Sequence, residues 1–364
     1  MSRPQALVVA PAEQAEALPH VGLEPVGGIR DADLLKRLSD TPPFIRDHEL
    51  QRLRDEQARR DRLATLPRDQ RRRAETQHLF AEGKGVERDN LRHIHSVLAM
   101  CGLPYKPTAD RTWEATQGQM KLKISAGELL NPHTGQWEEQ PLPSGSRARL
   151  LLMHLTSQAI IQGRPDIEIE SSLSAFIRSM GIAVTGGKQG SIHAFKQQIN
   201  ALAACNMRIG LFAGEKGEKT RNINTQPFSQ LDLWLPTSAK EKILWPERIT
   251  FSREFFESIT RHSIPLNMNA VKAFQGSPRK LDIYFWLTYR FRALKEQKSI
   301  SWEALKEQFG KGYLRERKFR ADFAEEIKQI KEVFPKLQVQ LNEHGFTIQP
   351  GVAEVMALPA KPRK

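Results

Sequence analysis

The sequence has little cysteine, little tyrosine and no long apolar run. Its two cysteines, Cys101 and Cys205, lie in unrelated contexts, so the pattern predicts no disulfide framework and fits a reducing cytoplasm. No apolar run approaches the roughly 18 residues that a membrane span needs, and the N-terminus lacks the basic-then-apolar order of an export signal. We therefore expect a cytoplasmic protein with no membrane among its partners.

Basic residues outnumber acidic residues in only one part of the chain. The formal net charge is +13. Residues 1–140 contain 21 Lys and Arg and 21 Asp and Glu, whereas residues 141–364 contain 34 and 21. A basic excess confined to one region is typical of a polyanion-binding site. The alternative is a basic, soluble surface without a partner.

Signatures of catalysis are also scarce. The sequence contains no metal-binding motif of acids or histidines, no Ser/His/Asp order and no nucleophile elbow. Residues 181–188, GIAVTGGK, resemble a phosphate-binding loop. However, Gly187 stands where that loop needs Lys, and the segment follows a predicted helix instead of a strand. We interpret it as a turn whose amides and Lys188 could touch a DNA phosphate.

His93-Ile94-His95 resembles the metal-binding histidine pair of rolling-circle nicking enzymes. That pair must lie on a strand so that both rings face one way, whereas the pattern over 90–100 predicts a helix. None of the four tyrosines is a convincing nucleophile. We therefore expect no catalytic residue, no metal and no cofactor, and hence no enzyme; an origin nickase is the alternative from a different class.

The strongest structural pattern covers residues 142–212. Apolar residues recur at helical spacing, a short alternating strand follows, and Gly-containing turns separate two further helices. The predicted order is a helix from about 145, a strand over 166–170, a helix ending at Gly181, a helix from Ser191, a strand over 207–212 and a basic connection over 213–221. This order is typical of a winged helix, a helix-turn-helix variant with an added hairpin.

The third helix of this pattern has two faces. Ile192, Phe195, Ile199, Leu202 and Ala203 form the apolar face, and His193, Lys196, Gln197 and Asn200 form the polar one. In a winged helix the third helix enters the major groove, where polar side chains reach base edges. The candidate DNA-binding residues here are Lys188, Gln189, Ser191, His193, Lys196 and Gln197.

A second, diverged copy of the pattern begins near Asn267. Residues 276–281, GSPRKL, echo residues 145–150, GSRARL. A long apolar helix, a short strand, a helix ending near Gly310 and a third helix over about 314–333 follow, and residues 337–341 and 346–348 alternate as a hairpin. The candidate DNA-binding residues of this copy are Lys311, Arg315, Arg317, Lys318 and Arg320.

Over about residues 97–350 the chain resembles the plasmid-encoded RepA replication initiator family of Gram-negative bacteria. Many separate segments in the same order carry this resemblance, among them LPSGSRARLLL, SLSAFIRSMG, TGGKQGS, FKQQINALAAC, INTQPFS, LWPERITFSREFF, AFQGSPRKLDIYFWLTYR, ISWEALKEQFG and FRADFAEEI. The resemblance implies an initiator that binds repeated sequences of double-stranded plasmid origin DNA and helps to open the duplex. It also implies host replication proteins, namely the host initiator and the replicative helicase, as partners. A homodimer is a further candidate assembly, and the sequence leaves the oligomeric state open.

The predicted fold is α+β and mainly α, with two tandem winged-helix domains and a helical, partly disordered N-terminal arm. The predicted segments are a disordered tail (1–45), a charged helical arm (46–103) that Pro67 divides into two helices, a hairpin or connector (104–140), the two winged-helix domains (141–266 and 267–352) and a basic tail (353–364). The predicted function is plasmid replication initiation. A DNA-binding transcriptional repressor is the alternative of the same class.

Overall fold

The computed structural model describes residues 25–131, 134–168, 173–179, 182–187, 190–213, 219–231 and 248–359. The chain divides into two compact units, Met1–Leu66 and Pro67–Lys364. The fold is mixed α and β and mainly helical, as predicted, and the strands that the structure describes pair in antiparallel sheets. Among the described residues, no helix has the length and apolar character that crossing a bilayer requires.

The first unit is a small helical hairpin of α1 (Ala32–Ser39) and α2 (Arg46–Thr65). Leu34, Leu35 and Leu38 of α1 pack against Leu53 of α2 in a separate apolar cluster. The side chain of Gln57, buried in α2, accepts hydrogen bonds from two backbone N–H groups that precede α1. The prediction of a disordered tail over 1–45 is therefore wrong for residues 25–45; residues 1–24 lie outside the described residues.

The second unit begins with helices and strands that precede the two predicted copies. They are α3 (Arg68–Ala81), β1 (Leu91–His95), α4 (Ser96–Cys101), β2 (Thr112–Gln117), β3 (Met120–Ser125), β4 (Glu128–Leu130) and β5 (Trp137–Glu139). Pro67 does separate two helices, α2 and α3, as predicted.

Residues 91–95 form a strand, so the predicted helix over 90–100 is wrong in its first half. The strand β1 pairs antiparallel with Ser263–Asn267, which lie far away in the sequence. Its backbone also meets a neighbouring helix, because the N–H of His93 donates to the Ser157 hydroxyl at 2.7 Å. These distant partners override the local helical pattern.

The first copy of the pattern contains an additional hairpin between its third helix and its last two strands. Its elements are α5 (Gly145–Gln162), β6 (Asp166–Glu168), α6 (Leu173–Ser179), α7 (Ser191–Ala204), β7 (Asn206–Ala213), β8 (Lys219–Thr225), β9 (Phe228–Leu231) and β10 (Arg248–Phe251). We refer to Gly145–Phe251 as the first repeat. Two further elements, α8 (Arg253–His262) and β11 (Ser263–Asn267), follow it.

The strands of the first repeat belong to two sheets. One has the order β6-β10-β9, and the other has the order β2-β3-β7-β8. In the second sheet, Leu122 of β3 is in register with Ile209 of β7, and both are buried. Residues 112–125 therefore form a hairpin, one of the two predicted alternatives, and this hairpin is part of the sheet. The predicted strand at 207–212 is confirmed within β7, but residues 219–221 of the predicted connection belong to β8, with which β7 pairs. The strands that join β6 are β9 and β10.

The second repeat, Pro278–Ile348, follows helix α9 (Met268–Phe274). Its elements are α10 (Pro278–Ala293), β12 (Lys298–Ser301), α11 (Trp302–Phe309), α12 (Glu316–Val333), β13 (Val339–Asn342) and β14 (Gly345–Ile348). The sheet order is β12-β14-β13, and the predicted hairpin at 337–348 is confirmed. The Asn342 side chain accepts from the N–H groups of His344 and Gly345, which closes its turn.

The two repeats share one strand order. In each, the strand after the first helix pairs with the second strand of the hairpin that ends the repeat. They also share one apolar core, which runs continuously from Ile94 to Leu358. Residues 353–359 belong to this core and not to a tail: Met356 and Leu358 are buried, and Asn267 donates to the Ala357 carbonyl. Residues 360–364 lie outside the described residues.

A buried ion pair connects the first helices of the repeats. The guanidinium of Arg149 in α5 meets the carboxylate of Asp282 in α10 through two contacts, Nε–Oδ1 at 2.7 Å and Nη2–Oδ2 at 2.6 Å. The same guanidinium donates to the carbonyls of Leu103, Pro104 and Gly145. Because both partners are buried and hydrogen-bonded, this pair holds the two helices in one orientation.

Candidate nucleic-acid interface

Helix α7 has the two faces that its sequence predicted. Phe195, Ile199 and Leu202 are buried, whereas His193 and Gln197 are exposed on the opposite side. Lys196 and Asn200 are half-buried at the edge of that polar face, and burial lowers the pKa of Lys196. The helix contains no acidic residue, so its polar face offers an amide, an imidazole and an ammonium without a competing carboxylate.

Ser191, at the start of α7, is buried. Its hydroxyl donates to the Ala183 carbonyl at 2.9 Å and accepts from the Thr185 N–H at 2.9 Å. The Thr185 hydroxyl in turn accepts from the Ser191 N–H at 2.8 Å. These bonds join the preceding turn to the helix and occupy the polar atoms of Ser191, which corrects the prediction that Ser191 contacts DNA. Lys188 and Gln189 lie outside the described residues.

In the second repeat, the exposed cations gather at the start of α12. Arg315, which precedes the helix, and Arg317, in its first turn, are both exposed. Within the part of the chain that the structure describes, neither guanidinium has a side-chain hydrogen bond or an ion pair. A cation without a carboxylate partner can bind a phosphate or a guanine without first breaking an ion pair.

The next two predicted cations of α12 are paired with acids one turn away. The ammonium of Lys318 lies 2.7 Å from Asp322, and this hydrogen bond raises the pKa of Lys318. Arg320 forms an ion pair with Glu316, and its guanidinium lies over the Trp302 ring, 5.2 Å from the centroid. Binding DNA with either residue would first have to break an existing ion pair.

Lys311 also has partners within the protein. Its ammonium lies 3.8 Å from the centroid of the Trp113 ring and donates to the Glu114 carbonyl. Burial lowers its pKa. Lys311 therefore connects the loop before α12 to strand β2, which is a structural role that the sequence pattern did not predict.

A third basic surface, absent from the prediction, lies on the outer face of the sheet β2-β3-β7-β8. Glu114, Lys123, Arg208 and Asn224 stand side by side across its four strands. Lys123 is paired with Glu114 at 2.6 Å, whereas Arg208 is exposed. The alternation of polar and apolar residues over 120–125 could have predicted this surface, because it puts Lys121 and Lys123 on one face of the strand.

The histidine pair of the nickase alternative lies on a strand, contrary to prediction, but its rings have different surroundings. His95 is fully buried; its Nδ1 accepts from the Val97 N–H at 3.1 Å, and its Nε2 meets the Ser258 hydroxyl at 2.8 Å. The lone pair of Nδ1 is thus used, and Nε2 carries the proton that it donates to Ser258. Among the described residues, no group of three His, Cys, Asp or Glu could hold a metal ion.

The protein therefore has two repeats with the same order of helices and strands. In each repeat, exposed polar or basic residues lie on or beside the third helix. Residues 142–304 match the model of a family described as plasmid encoded RepA protein, which covers the first repeat and the start of the second. This match confirms the resemblance of the sequence to the family of plasmid-encoded RepA proteins.

One solved structure with a similar chain path is described as the crystal structure of selenomethionine derivatives of domains 2 and 3 of RctB. The similarity covers 70% of this chain and 96% of that chain, with 11% sequence identity and a TM-score of 0.42. No curated protein sequence matches the chain.

Proposed function

We propose that the protein is a plasmid replication initiator that binds repeated sequences of origin duplex DNA. Each repeat acts as a winged helix, and α7 and α12 enter two successive major grooves. Binding bends and helps to open the duplex, and the bound protein draws in the host initiator and the replicative helicase. No step of this activity requires a catalytic residue, a metal or a cofactor.

The observation that carries the proposal is the repeated strand order. In a winged helix, the strand after the first helix joins the hairpin that follows the third helix, and β6-β10-β9 and β12-β14-β13 both have this order. In both repeats the third helix keeps polar residues exposed while its other face is buried. The family match over residues 142–304 supports the same function independently.

Different side chains supply contacts in the two grooves. Gln197 and His193 of α7 offer donors and acceptors to base edges, and a glutamine can bind adenine through two hydrogen bonds. Arg315 and Arg317 at the start of α12 are free to bind guanine or phosphate. The basic excess of residues 141–364 attracts the phosphate backbone, and the energy of these contacts drives deformation of the DNA.

The surroundings of His95 weigh against the nickase. A metal would require a free ring nitrogen, and both nitrogens of His95 are occupied within the fold. A strand-cleavage assay on supercoiled origin DNA with Mg²⁺ or Mn²⁺ separates the two functions. The proposal expects no nicked product, and cleavage that His93→Ala abolishes would establish the nickase instead.

Footprinting of the full chain on the plasmid that carries its gene tests the main proposal. We expect protection of repeated sites, each with two major-groove segments about one helical turn, roughly 34–36 Å, apart. A protein that acts only as a repressor would protect an operator, and a plasmid with a disrupted gene would still replicate. Replication that is lost with the gene and restored by it in trans supports the initiator.

A further inference from the structure

Leu314 is the most exposed large hydrophobic side chain among the residues that the structure describes. It is 98% exposed and stands in the short loop between α11 and α12, two residues before α12 begins. Single exposed apolar residues are common on protein surfaces. This one is unusual because the loop around it is firmly held and two exposed cations without a carboxylate partner, Arg315 and Arg317, follow it within three residues.

The residues before Leu314 are fixed to the fold. The Tyr313 N–H donates to the Gly310 carbonyl at 2.9 Å, and its hydroxyl donates to Asp322 at 2.8 Å. The ring of Tyr313 packs against Phe319 and beneath the Arg279 guanidinium. Gly312 has a φ of +91°, which other residues rarely adopt, and this turns the chain before Tyr313.

The residue after Leu314 is fixed as well. The Arg315 carbonyl accepts from the Phe319 N–H at 3.2 Å in the first turn of α12, and Phe319 is buried. Leu314 is thus held between two anchored positions and is exposed, whereas Tyr313 and Phe319 pack into the core. The fold presents an apolar side chain outward, beside Arg315 and Arg317, at the N-terminus of a helix.

We propose that Leu314 reads a thymine by contact with its 5-methyl group in the major groove. The inference rests on the proposed function and names a base that the second repeat recognises. Residues at the N-terminus of a recognition helix meet base edges, and the thymine methyl is the apolar feature that distinguishes bases in this groove. Arg315 and Arg317 bind the adjoining phosphates or guanine and bring the leucine against the bases.

The test combines a change in the protein with a change in the DNA. The probe is a duplex with one footprinted origin repeat, together with a series in which each thymine in turn is replaced by deoxyuridine, which lacks only the methyl group. We expect one or two replacements to weaken binding of the wild-type chain by about fourfold, as loss of one buried methyl predicts. Leu314→Ala should bind the thymine duplex more weakly and show no further loss at those same positions.

Two variants serve as controls. Ile161→Ala removes another exposed apolar side chain, 64% exposed in α5, and should keep the full sensitivity to deoxyuridine. Arg317→Ala tests whether this helix binds DNA at all. If Arg317→Ala weakens binding while Leu314→Ala binds as the wild type or keeps the same sensitivity, the thymine contact is refuted and the initiator stands. If no specific duplex is bound, both proposals fail.

Discussion

The two repeats have the same strand order but differ in the chemistry of their third helices. Helix α7 has no acidic residue and exposes Gln197 and His193 along its length. Helix α12 alternates cations and acids; near its start, Lys318 and Arg320 are paired with carboxylates, whereas Arg315 and Arg317 have no carboxylate partner among the described residues. A shared topology therefore does not fix a shared mode of recognition. Under the proposed function, the first repeat reads bases along its third helix, and the second binds through the first turn of its third helix.

The repeats also differ in the composition of their cores. Rings of Trp286, Phe309, Phe323 and Phe346 contact one another in the second repeat, with centroids 5.4–6.1 Å apart. Around α5 the core combines aliphatic side chains with the rings of Phe251 and Phe255, and it includes buried polar groups such as His95 and Arg149. Aromatic contacts keep their strength as pH changes, whereas buried titratable groups do not. The surroundings of α5, which include His95 and the pair of Arg149 with Asp282, are thus expected to respond to acid and to loss of a charge partner.

The largest expected effect is on the ion pair that joins the repeats. Arg149→Met leaves the Asp282 carboxylate buried without its partner and should lower the free energy of unfolding by about 3–5 kcal/mol. Urea unfolding followed by circular dichroism measures this loss. The double variant Arg149→Met, Asp282→Leu should recover part of it, because no buried charge is left.

An exposed pair provides the matched control. Arg253→Met removes a cation that lies 3.1 Å from Glu257 on the surface of α8 and should change stability by no more than about 1 kcal/mol. Equal losses for Arg149→Met and Arg253→Met would show that Arg149 does not orient the two helices.

The next effect is a loss of stability in acid that comes from His95. Burial lowers the pKa of His95 from 6.5 to about 3, so the ring is neutral in the fold while the unfolded chain takes up a proton below pH 6.5. The stability that the neutral His95 ring contributes to the fold is present above pH 6.5 and is lost as pH falls toward 3. Its size is about 1.4 kcal/mol per pH unit, or about 2 kcal/mol at pH 5.

The variant His95→Asn removes the titrating ring and so tests this pH-dependent contribution to stability. Asparagine can still accept from the Val97 N–H at the start of α4 but does not titrate. We expect the variant to lose about 2 kcal/mol less than the wild type between pH 7 and pH 5 in urea unfolding. His93 and His262, whose pKa values burial also lowers, remain in both proteins. Parallel pH profiles would contradict a buried, neutral His95.

A smaller effect should distinguish the DNA contacts of α7 from those of α12. Gln197→Ala should cost about 1–3 kcal/mol at one base position of the repeat and relax specificity there, with an unchanged salt slope. Arg317→Ala should weaken the footprint in the other groove segment and leave the first one in place. If Arg317 binds phosphate, the slope of log K against log salt falls by about one. A series of single-base duplexes at several salt concentrations measures both, and identical profiles for the two variants would remove the difference between the repeats.

Local pattern predicted the elements whose partners are close in sequence. The two faces of α7 follow from its periodicity, and the hairpin of β13 and β14 follows from alternation around a turn. Strand β1 was missed because β11, which supplies its hydrogen bonds, lies far along the chain. The strand at 207–212 was predicted, but its partners β3 and β8 were not, for the same reason: local alternation identifies a strand but not the strand with which it pairs.

The partners of the candidate DNA-binding residues within the fold were not predicted, because the sequence shows which cations are present but not which are free. The pairs Lys318–Asp322 and Glu316–Arg320 could have been read from their spacing of four residues along a helix. The partners of Lys311 and Ser191 could not, since Trp113 is brought near only by the fold and Thr185 only by the turn before α7. Leu314 was not a candidate because an apolar residue beside a helix start is usually core.

The smallest expected effect belongs to Lys318. Its ammonium is exposed and already bound to Asp322, which the Tyr313 hydroxyl also holds in place. Because an exposed pair one turn apart contributes little, Lys318→Gln should leave the unfolding midpoint unchanged within error. It should also weaken DNA binding less than Arg317→Ala and keep the wild-type salt slope, since Asp322 competes with phosphate for this cation. A salt slope that falls by about one in Lys318→Gln would mean that Lys318 leaves Asp322 for a phosphate. In that case the cations of α12 act together, and the contact surface of the second repeat extends beyond its first turn.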